Sequence, residues 1–245
     1  MGEAFAYLLD GDSWSGSNGL GQQLVQQVLL TVVSLAVATV LSLPVALWLG
    51  HIGKGGAIAI NISNIGRAIP VFAVLVLLSV GPVGTDVLGP FGRAGAATLI
   101  SLVLFALPPI ITNAYVGVRG VDPEIVEAAR GMGMAERRIF TRVEWPLALP
   151  LVLTGLRLAL VQVWATATIA ALVAGPGLGN TITNGFANSR IDQVTAGAIL
   201  VAVVALLLEG AAFAAERLVD PMRASRRANR HSQRTPSVPT VEPIV

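Results

Sequence analysis

Five apolar segments of this chain are each long enough to cross a lipid bilayer, and they constrain its fold more than any other feature. They cover approximately residues 24–50, 56–80, 94–116, 146–174 and 194–218. A helix needs roughly 20 apolar residues to cross the hydrocarbon layer. With 54% apolar and only 12% charged residues, the chain is far from the composition of a soluble domain. We predict an all-α, polytopic membrane protein with these segments as its transmembrane helices.

The second segment differs from the other four. Its first half, residues 61–67, reads Asn-Ile-Ser-Asn-Ile-Gly-Arg, and only the part after Pro70 is uniformly apolar. Polar groups at membrane depth are costly unless they face protein or water. We therefore expect this half of the segment to face away from the lipid.

The basic residues predict the orientation of the chain in the membrane. Twelve Lys and Arg residues fall in segments that lie on one side, namely residues 51–55, 117–145 and the stretch from Arg217 onward. The other side holds two, Arg93 and Arg190. Under the positive-inside rule, the side with twelve basic residues is cytoplasmic. The N-terminus is then outside and the C-terminus inside.

This orientation divides the chain into three parts. Residues 1–20 carry three acidic residues and no Lys or Arg, so we expect an extracytoplasmic tail rather than a cleaved signal peptide. Residues 21–220 form the transmembrane domain. Residues 221–245 are basic and rich in Ser, Thr and Pro, a composition typical of a disordered tail, here on the cytoplasmic side.

The cytoplasmic loop at residues 117–145 carries strong helix-start signals. Asp122 is suited to accept hydrogen bonds from free backbone N–H groups as an N-cap, and Pro123 is preset for the first helical turn. Residues 123–130 are therefore predicted to be helical. A surface helix at this point would be exposed to the aqueous phase.

The second half of the same loop contains breaks. Gly131 and Gly133 interrupt good helix formers, which predicts a bend or a helix C-cap. We expect a second short helix over residues 135–140, set at an angle to the first. Pro146 would then end the loop and start the fourth span.

The spacing in this loop resembles the EAA signature of permease subunits in binding-protein-dependent ABC importers. Glu-Ala-Ala at residues 127–129 precedes Gly133, and Pro146 lies thirteen residues further along. Val143 and Trp145 depart from the signature at its less strict apolar positions. Other segments between residues 20 and 218 resemble the osmoprotectant group of these permeases, which import glycine betaine, choline, carnitine or proline. They are residues 67–70, 107–113, 121–123, 127–134, 146–150 and 175–179.

The resemblance implies a type I ABC importer permease (MetI-like) fold and a place in a bacterial-type inner (plasma) membrane. Such a permease pairs with a second permease subunit, the same chain or a paralogue, and works with an extracytoplasmic solute-binding protein. Two cytoplasmic ATP-binding subunits would supply hydrolysis, since the chain contains no Gly-x-x-x-x-Gly-Lys-Ser/Thr phosphate-binding loop. The residues implied to couple this chain to the ATPase are Glu127, Ala128, Ala129, Gly133 and Pro146.

Four further residues are candidates for a translocation pathway or gate. Arg67 and Pro70 lie in the polar half-span. Trp164 on the fourth span could attract a quaternary ammonium by a cation–π interaction, although one Trp on an apolar span is more often a packing residue. Gly177 lies in a glycine-rich segment that is most simply a tight outer turn, and a gate is a variant of that turn.

The charges nearest the hydrocarbon are Arg67, Arg157 and Glu209. A charge at this depth needs a partner or water. We expect Glu209 to pair with Arg157 or Arg67, as a structural ion pair that ties spans together. His51 and His231 are isolated in the sequence and are expected to be interfacial or solvated.

Other function classes remain as alternatives. The chain could be a permease for another small solute, such as an amino acid, in the same importer superfamily, or, less in keeping with the motifs, a secondary transporter or channel. A membrane enzyme would need a convergent acid, base or metal set, and the spans offer no His or Asp pair. Because the chain has no cysteine, it offers no disulfide, no Cys-based metal site and no thiol nucleophile. We predict no catalytic residues, no metal, no cofactor and no nucleic-acid partner.

Overall fold

The computed structural model describes residues 2–16, 18–85, 88–92 and 94–219. Within these ranges the chain is helical and has no strand, which confirms the all-α prediction. The predicted cytoplasmic tail at residues 221–245, with His231, lies outside the described residues. The helices are α1 (Gly2–Leu9), α2 (Gly11–Trp14), α3 (Leu20–His51), α4 (Gly56–Ala68), α5 (Val71–Val80), α6 (Gly95–Arg119), α7 (Pro123–Gly131), α8 (Glu136–Ile139), α9 (Trp145–Ile169), α10 (Gly179–Ala187) and α11 (Ile191–Val219).

Four of the described helices are long and apolar enough to cross a membrane. They are α3, α6, α11 and a continuous helix, Glu136–Val173, that contains α8 and α9. α3 has 32 residues and is therefore about 48 Å long at 1.5 Å per residue. It exceeds the ~30 Å hydrocarbon layer, so its ends extend into the interfacial regions.

The predicted second span, residues 56–80, is two helices and not one. α4 has 13 residues and α5 has 10, and each is shorter than the roughly 20 residues that a span requires. The break falls at Pro70, which has extended backbone angles (φ −64°, ψ 117°) and precedes α5. Proline has no N–H to donate and disfavours helical angles in the residue before it. The described residues therefore contain four helices long enough to span the membrane and one predicted span that is broken.

α6 lies at the centre of the fold, packed between α3 and α9. Leu102, Ala106 and Ile110 of α6 are buried in one cluster with Leu30 of α3 and Val163 of α9. Apolar lipid provides no hydrophobic force between such helices, so close packing must supply much of the attraction.

The buried face of α3 is lined with small residues that permit this close packing. Near its end, a Cβ at Gly50 would lie 2.8 Å from the Cβ of Val118 on α6. The hydroxyls of Ser34 and Ser42 donate to carbonyls four residues back, both at 2.6 Å. The small residues of this face are Ser34, Ala38, Ser42, Ala46 and Gly50.

The opposite faces of the spans are exposed and apolar. Val40 of α3 is 72% exposed and Leu206 of α11 is 72% exposed. None of the most apolar 18-residue window of α11 is buried. These faces are suited to contact lipid or another transmembrane subunit.

Two segments outside the predicted spans contain helices. The predicted tail, residues 1–20, contains α1, which packs against α11. Residues 175–193, between the fourth and fifth predicted spans, begin with the glycine-rich turn and contain α10, which also packs against α11. We call this end of the molecule the α10 end and the opposite end, where α3 finishes beside the loop to α7, the α7 end.

Candidate coupling hairpin and intramembrane cavity

α7 begins with the cap that the sequence predicted. The carboxylate of Asp122 accepts a hydrogen bond from the N–H of Glu124 at 2.9 Å. Pro123 occupies the first turn, where its missing N–H costs no hydrogen bond. The helix runs over Pro123–Gly131, one residue beyond the predicted end.

α7 ends in a turn that requires glycine. Gly133 has a φ of +79°, and its N–H donates to the carbonyl of Arg130 at 2.9 Å. The N–H of Met134 donates to the carbonyl of Ala129 at 3.2 Å. These two bonds form a Schellman motif, whose left-handed residue is normally glycine. The hairpin made by α7, this turn and α8 (residues 122–139, hereafter the α7–α8 hairpin) therefore has a defined shape.

The second arm of the hairpin differs from the prediction. It is the first part of the continuous helix Glu136–Val173, which contains the fourth predicted span and passes through a π-helical turn at Phe140–Glu144. The helix is therefore unbroken at Pro146, and that the loop ends and the span starts at this residue stays a prediction. The N–H of Trp145 donates to the carbonyl of Phe140, five residues back. This widened turn comes immediately before Pro146, whose ring would otherwise crowd the carbonyl four residues back.

The outer surface of α7 is only partly the surface that the motif implied. Glu127 and Ala128 are exposed, but Ala129 is buried at 3% exposure. Ile125 is 47% exposed and Met132 is 76% exposed. Ile125, Ala128 and Met132 follow the i, i+3, i+7 spacing of one helix face. The sequence analysis did not identify this apolar face, although the spacing of its three residues could have indicated it.

Charged residues surround this apolar face. Arg130 Nε lies 2.7 Å from Glu136 Oε1 across the turn, and both side chains are exposed. This hydrogen bond raises the pKa of Arg130 above its usual range, so the guanidinium stays charged. On α8 and beyond, basic side chains line a shallow depression together with Ala135 and Thr141. They are Arg137, Arg138 and Arg142.

His51 is not isolated, contrary to the prediction. Its Nδ1 lies 2.5 Å from Oε2 of Glu144, whose side chain is only 7% exposed. The ring of Phe140 packs edge-on against the imidazole, with the centroids 5.3 Å apart. The two partners are separated by 93 residues, so no local pattern in the sequence could have paired them.

A cavity of about 860 Å³ opens on the side of the bundle. α6 contributes Pro108 and Pro109, and α9 and α11 contribute most of the remaining wall. Its polar side chains are Arg157, Gln162 and Glu209. The cavity is therefore largely apolar, with charged groups at one side.

Arg157 has two acidic neighbours in this region. Its Nη1 donates to Glu216 Oε2 at 3.0 Å, and its Nε lies 3.4 Å from Glu209 Oε1. The predicted partners Arg157 and Glu209 are thus adjacent, but Glu216, which sequence reasoning missed, makes the shorter contact. The second carboxylate oxygen of Glu209 has no hydrogen-bond partner among the described residues. That these contacts tie spans together stays a prediction.

Trp164 does not line this cavity. Its side chain lies in the core at 2% exposure, and its indole N–H donates to the carbonyl of Val201 on α11 at 3.1 Å. A buried indole N–H needs such a partner. In this conformation the ring joins α9 to α11 and cannot meet a solute in the cavity, so the predicted cation–π role is not supported.

Gly177 lies in a turn, as predicted, and is buried within the molecule. It has a φ of +121° and an added Cβ would lie 3.0 Å from Gln27 Oε1. The next residue, Leu178, donates its N–H to that oxygen at 2.8 Å. Whether this turn acts as a gate stays a prediction.

The remaining pathway candidates lie at the broken helix. Pro70 is exposed at the break between α4 and α5. Arg67 lies near the end of α4, but its side chain is outside the described part of the chain. Gly66 of the same helix lines the cavity, which places the polar half-span beside it.

Comparison with known proteins identifies the family. A family model described as the binding-protein-dependent transport system inner membrane component matches residues 38–223. The chain belongs to this family. The match includes the α7–α8 hairpin, every residue named as lining the cavity and both Arg157 contacts. It confirms the predicted membership of the binding-protein-dependent importer permeases.

Several curated relatives resemble the chain over most of its length. The carnitine transport permease protein OpuCB of Listeria monocytogenes is 31% identical over 188 residues, which cover 76% of this chain and 82% of the relative. The choline transport system permease protein OpuBD of Bacillus subtilis (strain 168) is 31% identical over 206 residues, covering 84% and 87%.

Solved structures with the same fold include an inward-facing conformation of the MetNI methionine ABC transporter. One of its chains superposes with a TM-score of 0.67 at 22% identity, covering 79% of this chain and 93% of the other. At this identity the likeness establishes the fold alone. The predicted type I (MetI-like) fold is confirmed.

Proposed function

We propose that this chain is the permease subunit of an ATP-driven importer for a compatible solute such as glycine betaine, choline, carnitine or proline. The identity of 31% to a carnitine permease and to a choline permease, over most of each chain, supports this solute class. The largely apolar cavity of about 860 Å³ is large enough for such a molecule.

The observation that carries the proposal is the exposed, doubly capped α7–α8 hairpin. Ala128 lies at the centre of its apolar face, between Ile125 and Met132, and all three are exposed. A small central residue lets a partner backbone approach closely, and the flanking apolar side chains supply contact area. This face is suited to seat in a groove of a cytoplasmic ATPase subunit. Glu127 beside it offers a carboxylate for a basic group of that partner.

The cavity is proposed to face a second permease subunit. Arg157, Glu209 and Glu216 are too costly to expose to lipid, so the side on which they lie must meet protein or water. The unburied apolar face of α11 adjoins this opening. A second subunit, the same chain or a paralogue, would close the opening into a shared pathway. An extracytoplasmic solute-binding protein would deliver the solute at the α10 end.

Reconstitution tests the activity. The chain is purified with a candidate ATPase and a candidate solute-binding protein from the same organism, and uptake of labelled glycine betaine, carnitine, choline and proline into proteoliposomes is measured. We expect uptake of at least one solute that requires both ATP and the binding protein. Uptake that persists without the ATPase would show a secondary transporter or channel instead.

A substitution on the hairpin tests the coupling role. Ala128→Trp places a large side chain at the centre of the proposed contact, and we expect it to reduce ATPase co-purification and uptake at least tenfold. The matched control is Ala187→Trp, an exposed alanine of α10 at the opposite end of the molecule, which should leave ATPase binding unchanged. Normal ATPase binding by Ala128→Trp would contradict the proposed docking face.

A further inference from the structure

Glu144 and His51 join two elements that the chain connects only through a long path. Glu144 is the last residue of the π turn that leads from the α7–α8 hairpin into the fourth span. His51 is the last residue of α3. Their contact, Nδ1 to Oε2 at 2.5 Å, is among the shortest side-chain contacts in the described part of the chain.

We propose that the His51–Glu144 contact is a positioning contact that transmits movement of the α7–α8 hairpin to α3. The inference rests on the proposed function, because it assumes that an ATPase moves the hairpin. It adds that α3 receives this movement directly, and not only through the fourth span.

The environment of the contact supports a strong link. The Glu144 side chain is 7% exposed and that of His51 is 20% exposed, so solvent screens their interaction little. The edge-on ring of Phe140 covers one side of the imidazole. A buried carboxylate that lost this partner would bear most of its desolvation cost.

Two further contacts link the exposed surface of the hairpin to His51. Arg130 of α7 is hydrogen-bonded to Glu136 at 2.7 Å, and Glu136 Oε2 lies 4.0 Å from Nε2 of His51. These outer contacts are exposed or long and contribute little alone. Glu136 and Glu144 thus both reach His51 of α3, and the tight contact is the one that Glu144 makes.

The position of the π turn explains why such a link is needed. A π turn is a local widening of a helix, so a force on the hairpin could be absorbed there before it reached the membrane. Glu144 anchors the end of this turn to α3. From there α3 extends the full width of the bundle, packs closely on α6 and contacts the Gly177 turn at the α10 end through Gln27.

The test uses the complete importer, with its ATPase and binding protein, in lipid nanodiscs for ATP hydrolysis and in proteoliposomes for uptake. In His51→Leu/Glu144→Leu both partners become apolar together, so no orphan charge is buried, and such replacements are often tolerated. We expect normal assembly and basal ATP hydrolysis within twofold of the wild type. The amount of labelled glycine betaine, carnitine or choline moved per ATP hydrolysed should fall at least tenfold.

A second variant tests whether the contact itself is responsible. His51→Glu/Glu144→His exchanges the partners, and we expect it to return the ratio of solute to ATP to within threefold of the wild type. Lys54→Gln, which removes an exposed charge three residues after His51 and leaves the His51–Glu144 contact in place, is the control and should leave the ratio unchanged.

The outcomes separate this inference from the proposed function. A wild-type complex without ATP-dependent uptake would defeat the proposed function itself. A coupled wild type together with a fully coupled double-leucine variant would overturn only the present inference. If the double-leucine variant does not assemble, the test rests on the exchange variant. Its assembly with a restored ratio of solute moved to ATP hydrolysed supports the inference. Failure of the exchange variant to assemble or to couple overturns it.

Discussion

At the scale of single residues, the two glycines near the end of α7 differ in the backbone conformation that their positions require. Gly133 has a φ of +79°, whereas Gly131 has ordinary helical angles, and an added Cβ would meet no heavy atom within 4 Å at either position. The difference between them is therefore one of backbone conformation and not of space. We expect Gly133→Ala to destabilise the hairpin by ~1–2 kcal/mol, the cost of a left-handed conformation for a residue with a Cβ.

Gly131→Ala is the matched control and should be neutral or stabilising by up to ~1 kcal/mol, because alanine is the better helix former. Denaturant unfolding of the purified protein in detergent, followed by tryptophan fluorescence, measures both changes. Equal effects of the two substitutions would mean that the Schellman turn does not determine the shape of the hairpin.

The two acidic neighbours of Arg157 should also differ in their contributions. Glu216 makes a 3.0 Å hydrogen bond to the guanidinium, while Glu209 lies at 3.4 Å, is 41% exposed and makes only an ion pair. Hydrogen bonds to charged groups are worth about 1.5–3 kcal/mol, and exposed ion pairs contribute roughly 0–1 kcal/mol. We therefore expect Glu216→Gln to lower stability in the same unfolding measurement clearly more than Glu209→Gln. The reverse order would make Glu209 the main structural partner.

At the scale of elements, α3 is anchored at the α10 end by a polar contact that lies entirely in the core. Gln27 is fully buried; its oxygen accepts from the N–H of Leu178 at 2.8 Å, and its amide donates to the hydroxyl of Thr168 at 2.8 Å. Gln23, one turn earlier, accepts from the N–H and hydroxyl of Thr181 at 3.1 and 2.7 Å. These side chains hold the Gly177 turn and the start of α10 against α3.

We expect Gln27→Leu to destabilise the protein by ~1–3 kcal/mol, because the N–H of Leu178 would be left buried without a partner. The control is Gln22→Leu on the exposed face of the same helix, which should change stability by less than ~0.5 kcal/mol. Hydrogen exchange of the α10 backbone should also become faster in Gln27→Leu alone. Unchanged exchange would show that the turn is held by packing rather than by this amide.

At the scale of the whole molecule, local chemistry was readable from the sequence and distant contacts were not. Asp122, Pro123 and Gly133 revealed α7 and its turn because caps depend on neighbouring residues. α10 was missed because Gly, Asn and Thr are frequent in its sequence and favour loops, while its start is held by Gln23 and Gln27 of α3.

The same limit applies to the candidate site. The sequence identified Arg157 and Glu209 because charged residues are rare in membrane spans. It did not reveal the distances between their charged groups. Glu216 escaped notice because it lies near the end of α11, where a charge is unremarkable in sequence. The His51–Glu144 contact joins residues that lie 93 positions apart, so no pattern among neighbouring residues could reveal it.

The orientation of the protein in the membrane can be tested by labelling single introduced cysteines. The protein has no cysteine, so a single introduced cysteine reports one position without background. Ser15 and Met132 are both exposed, Ser15 near the α10 end and Met132 on the α7–α8 hairpin. Because most of the basic residues in the described part of the chain lie at the α7 end, the positive-inside rule places that end in the cytoplasm. A membrane-impermeant maleimide should then label Ser15→Cys in intact cells and Met132→Cys only after permeabilisation. The opposite pattern would invert the topology and remove the hairpin from any cytoplasmic ATPase.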